Sequence, residues 1–169
     1  MKLETYTTFD DVLLVPQYSD IQSRSEVTLV SELSEDLELR VPIISAPMDT
    51  VCGEMMAGRL SEFGALGIIH RYNTIETQSQ MVSAASNKGL KNVGAAIGIT
   101  GDYLDLMHVG AHKIVDAFGD KVHVMAGNIA TYAGALALAH IGVDSVRVGI
   151  GGGSICSTRI QTGHGMPTL

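Results

Sequence analysis

Short apolar, β-branched runs alternate along the chain with longer stretches whose apolar positions recur at helical spacing. The runs are Val41–Ser45, Leu66–His70, Val93–Ile97, Val122–Ala126 and Ser145–Gly149, and their first residues lie 25, 27, 29 and 23 positions apart. That rhythm predicts repeated βα units, each a buried parallel strand followed by a crossover helix. Between the runs, Gly53–Phe63 carries Met55, Met56, Leu60 and Phe63 near a 3.6-residue period. Asn73-Thr-Ile-Glu76 reads as a capping box, with Asn73 at the N-cap and Glu76 at N3, opening a helix that runs to about Ser86. Asn87–Lys91 is a turn back into the third strand. Thr131–His140 is an Ala- and Leu-rich helix ended by Gly142. Residues 1–40 read as an N-terminal arm, with a strand-like Val12–Val15 broken by Pro16 and a polar Ser/Glu-rich segment after it.

Repeated βα units build either a doubly wound open sheet or a (β/α)8 barrel. No Gly-x-Gly-x-x-Gly follows the first strand, which weakens the dinucleotide-fold alternative. Polar and glycine-rich residues instead gather at the C-terminal ends of several strands: Pro47–Thr50, His70-Arg71, Gly98, Gly127-Asn128 and Gly149 onward. Barrel enzymes keep their chemistry there.

Composition narrows the field. The chain has 169 residues, 46% hydrophobic and 17% charged, which suits one sizeable core. A net charge of -7 argues against broad binding to nucleic acid or an anionic membrane, though not against one small phosphate pocket built from backbone N–H groups and an Arg. Two cysteines make neither a disulfide framework nor a zinc set, so a reducing, cytoplasmic setting is expected. The first residues lack an apolar h-region, and no apolar run is long enough to span a bilayer.

The sharpest chemical signal is Gly149-Ile-Gly-Gly-Gly-Ser-Ile-Cys156, with four glycines among five residues at a strand end. Such a backbone turns tightly and can aim N–H groups at an anion, with the Ser154 hydroxyl as a further donor. Those N–H groups would also favour a Cys156 thiolate. The alternative is a flexible turn beside a structural cysteine. Arg147, flanked by Val146 and Val148, is costly inside an apolar strand unless paired; it meets a phosphate or acidic group at the strand mouth, or faces solvent on an edge strand. Asn128 either caps the next helix or bonds a ligand. Asp49 or Thr50 is a helix-cap candidate, alongside a ligand role for Met48. His108 and His112 have metal-compatible spacing but no third ligand nearby. His70 and His123 read as satisfied structural histidines.

Several separated motifs, in order, resemble the IMP dehydrogenase / GMP reductase family. They are Thr8-Phe-Asp-Asp-Val-Leu-Leu-Val-Pro16, Pro42-Ile-Ile-Ser-Ala-Pro-Met-Asp-Thr-Val51, Gly67-Ile-Ile-His-Arg71, Val93–Gly101, Met125-Ala-Gly-Asn128 and Arg147-Val-Gly-Ile-Gly-Gly-Gly-Ser-Ile-Cys-Ser-Thr-Arg159. The resemblance covers nearly the whole chain. It implies a (β/α)8 barrel, with Cys156 as nucleophile on C2 of the purine of IMP, hydride leaving to NAD, and hydrolysis of a covalent thioimidate to XMP. In the reductases the equivalent Cys attacks GMP, ammonia leaves, and NADPH gives hydride. The resemblance places Thr158 near the reacting purine, and Ser154, Gly153 and neighbouring amides around the phosphate. It makes Met48, Asn128 and Arg147 nucleotide contacts, and the carbonyls of Gly151, Gly153 and Cys156 a K⁺ site. It also implies a homo-oligomer, usually a tetramer.

Ser45-Ala-Pro-Met-Asp-Thr-Val51 favours the dehydrogenase branch; Ser23-Arg-Ser-Glu26 and the short connection before Val93, with no room for CBS modules, have a reductase flavour. Against the family pattern, Gly152 replaces the usual Pro or Ser and Ala46 a common Ser. A closed barrel takes about 250 residues. Residues 41–169 are therefore expected to form a partial barrel of about five of eight βα units. Asp102–Lys121 holds only about one helix where the family has a helix, a strand and another helix, so the Asp that contacts the nicotinamide ribose is missing. The expectation is a fragment with poor turnover alone, completed by another barrel fragment or persisting as an inactive nucleotide-binding module.

Overall fold

A computed structural model describes residues 5–86, 92–97, 111–117, 119, 121–167 and 169. The chain divides into two compact units, one of Ile21–Asp102 and one of Met1–Asp20 with Tyr103–Leu169.

The Ile21–Asp102 unit opens with an antiparallel hairpin, β1 (Ser31–Ser34) and β2 (Leu37–Leu39). Next come α1 (Glu54–Glu62), β3 (Gly67–Ile69), α2 (Ile75–Ser86) and β4 (Val93–Ala95). β3 and β4 pair in parallel, Gly67 opposite Val93. The run at Val41–Ser45 joins them only through a parallel bridge from Ile44 to Leu66. Pro42 has no N–H to donate and Pro47 closes the other end, so a full ladder cannot form. The Ser45 hydroxyl takes over as acceptor for the Ile68 N–H at 2.8 Å. The core here joins Cys52, Ala57, Ile69 and Ala85, with Met81, Val82 and Val93 packed against them. Gly67 is where α1 meets β3 most closely: a Cβ at this position would run into the Ala57 backbone.

In the other unit, β5 (Met125–Ile129) and β6 (Ser145–Val148) pair in parallel across α4 (Tyr132–Ile141). Residues 111–117 form a helical segment, α3. The core is Ala111, Ile129, Leu138 and Ile141, flanked by Val115, Ala126, Ala135, Val143 and Val146. The Thr131 side chain caps α4 by accepting from the Gly134 N–H, and Gly142, at φ 87°, ends it. After β6 comes a glycine-rich loop, then a short helix, α5 (Thr158–Thr162), closed by Gly163 at φ 69°.

The architecture is mixed α/β. In each unit, parallel strands adjacent in sequence are adjacent in space, and closure into a barrel is not seen among the described residues. Three expectations shift. The fourth strand begins at Met125 rather than Val122, because side chains take over its first rungs: the Val124 N–H donates to the Asp144 carboxylate at 2.6 Å and the His123 ring meets Ser145 Oγ at 2.8 Å. The second helix is capped by Thr74, whose hydroxyl accepts from the Thr77 N–H, while Asn73 turns its amide to the His70 carbonyl and ring. Residues 12–15 join no ladder. Asn87–Lys91, Gly98 and the start of Asp102–Lys121 lie outside the described residues.

Candidate active site

The site grows from the carboxyl ends of β5 and β6. The Gly149 N–H donates to the Ile129 carbonyl at 2.8 Å, and the Asn128 Nδ2 donates to the Gly149 carbonyl at 2.7 Å. Asn128 is therefore not the cap of α4. It ties the end of one strand to the first residue of the loop leaving the next. The loop is fastened again one residue on, where the Met166 N–H donates to the Ile150 carbonyl at 2.8 Å.

Within this loop the Cys156 N–H donates to the Gly153 carbonyl at 3.1 Å, which turns the chain so that Cys156 sits just ahead of α5. Cys156 is half-buried, with its Sγ 3.3 Å from Thr158 Oγ1. The thiol pKa is lowered, first by the Thr158 hydroxyl, then by the Thr158 backbone amide and by the positive charge of Arg159, against an opposing push from burial. A thiolate accepts from both Thr158 donors. A lowered pKa and access to solvent are the two conditions that sulfur nucleophiles require.

The amides of Gly151, Gly152 and Gly153 make no hydrogen bond within the described residues, and Gly153 and Ser154 are exposed. Arg147, opposite Gly127 in the ladder, is exposed at the same strand ends. Met48 belongs to the other unit, half exposed in a turn where the Val51 and Cys52 amides return to its carbonyl. Asp49 caps no helix; its carboxylate accepts from the adjacent Thr50 N–H, and α1 starts from Gly53 without a side-chain cap.

Of the carbonyls of Gly151, Gly153 and Cys156, expected to hold K⁺, that of Gly153 is engaged within the chain. Gly153 already accepts two hydrogen bonds, from the Cys156 amide and from Arg159 Nη2 at 3.2 Å, and the second donor is itself a cation. Arg159 is the residue that the sequence reading passed over. Its place three positions after Cys156 was the available signal, but only the folded turn shows what it touches.

His70 is buried against Asn73 and Gln78, and His123 pairs with Ser145, as expected of satisfied histidines. His108 lies outside the described residues. Among the described residues no group of three or more His, Cys, Asp or Glu could hold a metal ion, and no helix is long and apolar enough to cross a membrane.

The family model for the IMP dehydrogenase / GMP reductase domain matches residues 6–118 and 107–169. This chain belongs to the IMP dehydrogenase / GMP reductase family. Both branches appear among its relatives. An inosine-5'-monophosphate dehydrogenase of Nitrosopumilus maritimus is 27% identical over 315 aligned positions, covering 100% of this chain and 66% of its own length. One from Cryptosporidium parvum is 30% identical over 223 positions, covering 96% of this chain and 56% of the relative. A GMP reductase of Vibrio parahaemolyticus is 33% identical over 190 positions, covering 95% and 54%. The chain thus spans 54% to 66% of the length of these relatives. The alignments with both dehydrogenases are longer than the chain's 169 residues, so those family members hold internal segments that this one lacks.

Proposed function

We propose that Cys156 is the nucleophile of a purine-nucleotide oxidoreductase, adding to C2 of IMP in an IMP dehydrogenase-like reaction of guanine nucleotide synthesis. The observation that carries this reading is the Cys156–Thr158 contact at 3.3 Å beside open glycine amides. Thr158 lowers the thiol pKa and so favours the thiolate. The thiolate adds to C2, and the C2 hydrogen departs with its electron pair. Water then cleaves the carbon–sulfur bond, releasing XMP and returning the thiol. NAD, when bound, supplies the hydride acceptor. No described residue is assigned to it, since the expected ribose-binding Asp is absent from the sequence. Nor does any step run through K⁺, because the Gly153 carbonyl is already engaged.

The phosphate is met by the Gly151–Gly153 amides, the Ser154 hydroxyl and the Arg147 guanidinium. An exposed loop suits this, because a dianion can approach several N–H groups without displacing protein hydrogen bonds. Asn128 supports the purine side by holding Gly149. Working as a homo-oligomer, or with a second polypeptide that completes the barrel, would cover the remaining strand edges.

A second reading is GMP reduction, with the same sulfur attacking C2 of GMP, ammonia leaving, and NADPH as hydride donor. The 33% identity to a GMP reductase over an alignment with fewer gaps favours it, while Ser45-Ala-Pro-Met-Asp-Thr-Val51 favours the first.

The test is incubation with 6-chloro-IMP followed by intact mass. Displacement of chloride by the Cys156 sulfur gives a nucleotide adduct that is lost in Cys156→Ala. No adduct on the folded wild-type chain would overturn the nucleophile assignment. Turnover with IMP and NAD, against GMP and NADPH, then separates the two branches.

A further inference from the structure

We propose that a cleft floored by His70, in the Ile21–Asp102 unit, binds a nucleobase by its amidine edge, a ring nitrogen beside an exocyclic amine. This inference does not rest on the reading of Cys156. The cleft holds about 440 Å³, and its lining includes Asp49, Glu54, Met55, Met56, His70 and Met81. Pockets for small organic ligands start at roughly 300 Å³.

The chemistry of the floor follows from its hydrogen bonds. Asn73 Nδ2 donates to the His70 carbonyl at 2.9 Å, and a carbonyl only accepts, so the Asn73 amide has one orientation. The same Nδ2 stands 3.2 Å from His70 Nδ1. An amide nitrogen donates and does not accept, so Nδ1 is the bare ring nitrogen and the proton of the neutral ring sits on Nε2. The residue is held from other sides as well. Gln78 Nε2 donates to the His70 carbonyl at 2.9 Å, the His70 amide donates to the Cys52 carbonyl at 3.3 Å, and the Tyr72 ring stacks at 6.4 Å between centroids. His70 is only 8% exposed. Among the described residues Nε2 has no hydrogen-bond partner, yet no fully buried side-chain nitrogen lacks one. Nε2 therefore lies on the part of the ring that opens to the cleft, as a fixed donor in want of an acceptor.

The rim and walls set the rest of the ligand. The Asp49 and Glu54 carboxylates disfavour an anion and favour an N–H donor. Asp49 accepts from the Thr50 amide through Oδ1, which leaves Oδ2 for a ligand. The thioethers of Met55, Met56 and Met81 are polarizable and adaptable, and suit the face of a flat ring. An acceptor, an adjacent N–H donor and a flat face together describe the amidine edge that adenine and cytosine carry and that hypoxanthine and uracil lack. A metal ion suits the cleft less well, because ligation through Nε2 would turn a protonated Nδ1 against the Asn73 amide hydrogens.

The experiment is two-dimensional proton–nitrogen NMR of the histidine rings in the full chain, titrated with adenosine, cytidine, inosine and uridine. Free His70 should show the Nε2–H tautomer. Adenosine or cytidine should shift its Nε2 signal, the two arms telling a purine from a pyrimidine preference, while inosine and uridine bind at least about fivefold more weakly. Asp49→Asn with Glu54→Gln, at exposed rim positions, should weaken the preferred nucleoside roughly threefold to tenfold. His70→Phe keeps a flat ring and should abolish binding at the cleft; if it fails to fold, the rim variant carries the test. An Nδ1–H tautomer overturns the proposal. So do equal affinities for nucleosides with and without the amine, or binding that leaves the His70 signal where it was.

Discussion

At the scale of single residues the proposed chemistry concentrates on one sulfur. Thr158 contributes most to lowering the Cys156 pKa, through its hydroxyl and its amide. Because the folded value is depressed, the thiolate persists to lower pH than in the unfolded chain. Any stability this contributes is present above the unfolded thiol's pKa and is lost as pH falls through the folded value. Alkylation of native Cys156 should accordingly show a midpoint below that of the same chain in denaturant, and Thr158→Val should move it upward; coincident midpoints for native and denatured protein would contradict the structure. Asn128 offers a second residue-scale test. Asn128→Ala frees the Gly149 carbonyl at an exposed position, so the cost in stability should stay within about 0.5–1.5 kcal/mol, while the rate of adduct formation with 6-chloro-IMP drops more steeply. A denaturant titration and a time course by mass measure the two. Cys156 and Asn128 stood out as candidates because a glycine run and a strand-end amide are local patterns, whereas Thr158 entered only through the family resemblance. The contact of Arg159 with Gly153 was not legible, since it depends on a turn that brings Gly153 back over α5.

Among the secondary-structure elements, the helices were easier to read than the strands. Gly53 and Phe63 bound α1, and Thr131 and Gly142 bound α4, as the caps and spacing imply. Strands depend on partners, and partners are not local. The 41–45 run kept one bridge because Pro42 lies within it and Pro47 follows it, and β5 started late because the Asp144 carboxylate and Ser145 hydroxyl occupy its first polar groups. The β1–β2 hairpin went unread because Glu32 faces Glu38 across it, a like-charge pair that alternating hydrophobicity does not announce. Two element-scale outcomes follow. Thr131→Ala should cost about 1 kcal/mol through loss of the α4 cap. Gly67→Ala should cost about 1–3 kcal/mol, because the added methyl meets the Ala57 backbone rather than a side chain that can swing away. Urea midpoints at constant slope would verify both; a neutral Gly67→Ala would mean that α1 does not lie against β3 as described.

For the molecule as a whole, the exposed apolar surface has a consequence of its own. Leu13 and Leu14 are 94% and 97% exposed, and Tyr18 is 94% exposed. Beside short sheets of two strands each, that surface favours association of the isolated chain. Light scattering after size exclusion should report species larger than a monomer, and Leu13→Lys with Leu14→Glu should shift the distribution downward. A strictly monomeric wild-type chain at micromolar concentration would show that these residues find cover within the chain itself. The family was legible because its motifs are contiguous in sequence, whereas barrel closure is a property of all strands together and no single segment reports it.

The bond from the Met166 amide to the Ile150 carbonyl makes the stretch between them a closed ring rather than a strand tail. Cutting the backbone after Gly163 would release Ile150 from Met166. The accessibility of the Cys156 thiol should then respond to proteolysis at a bond it never touches.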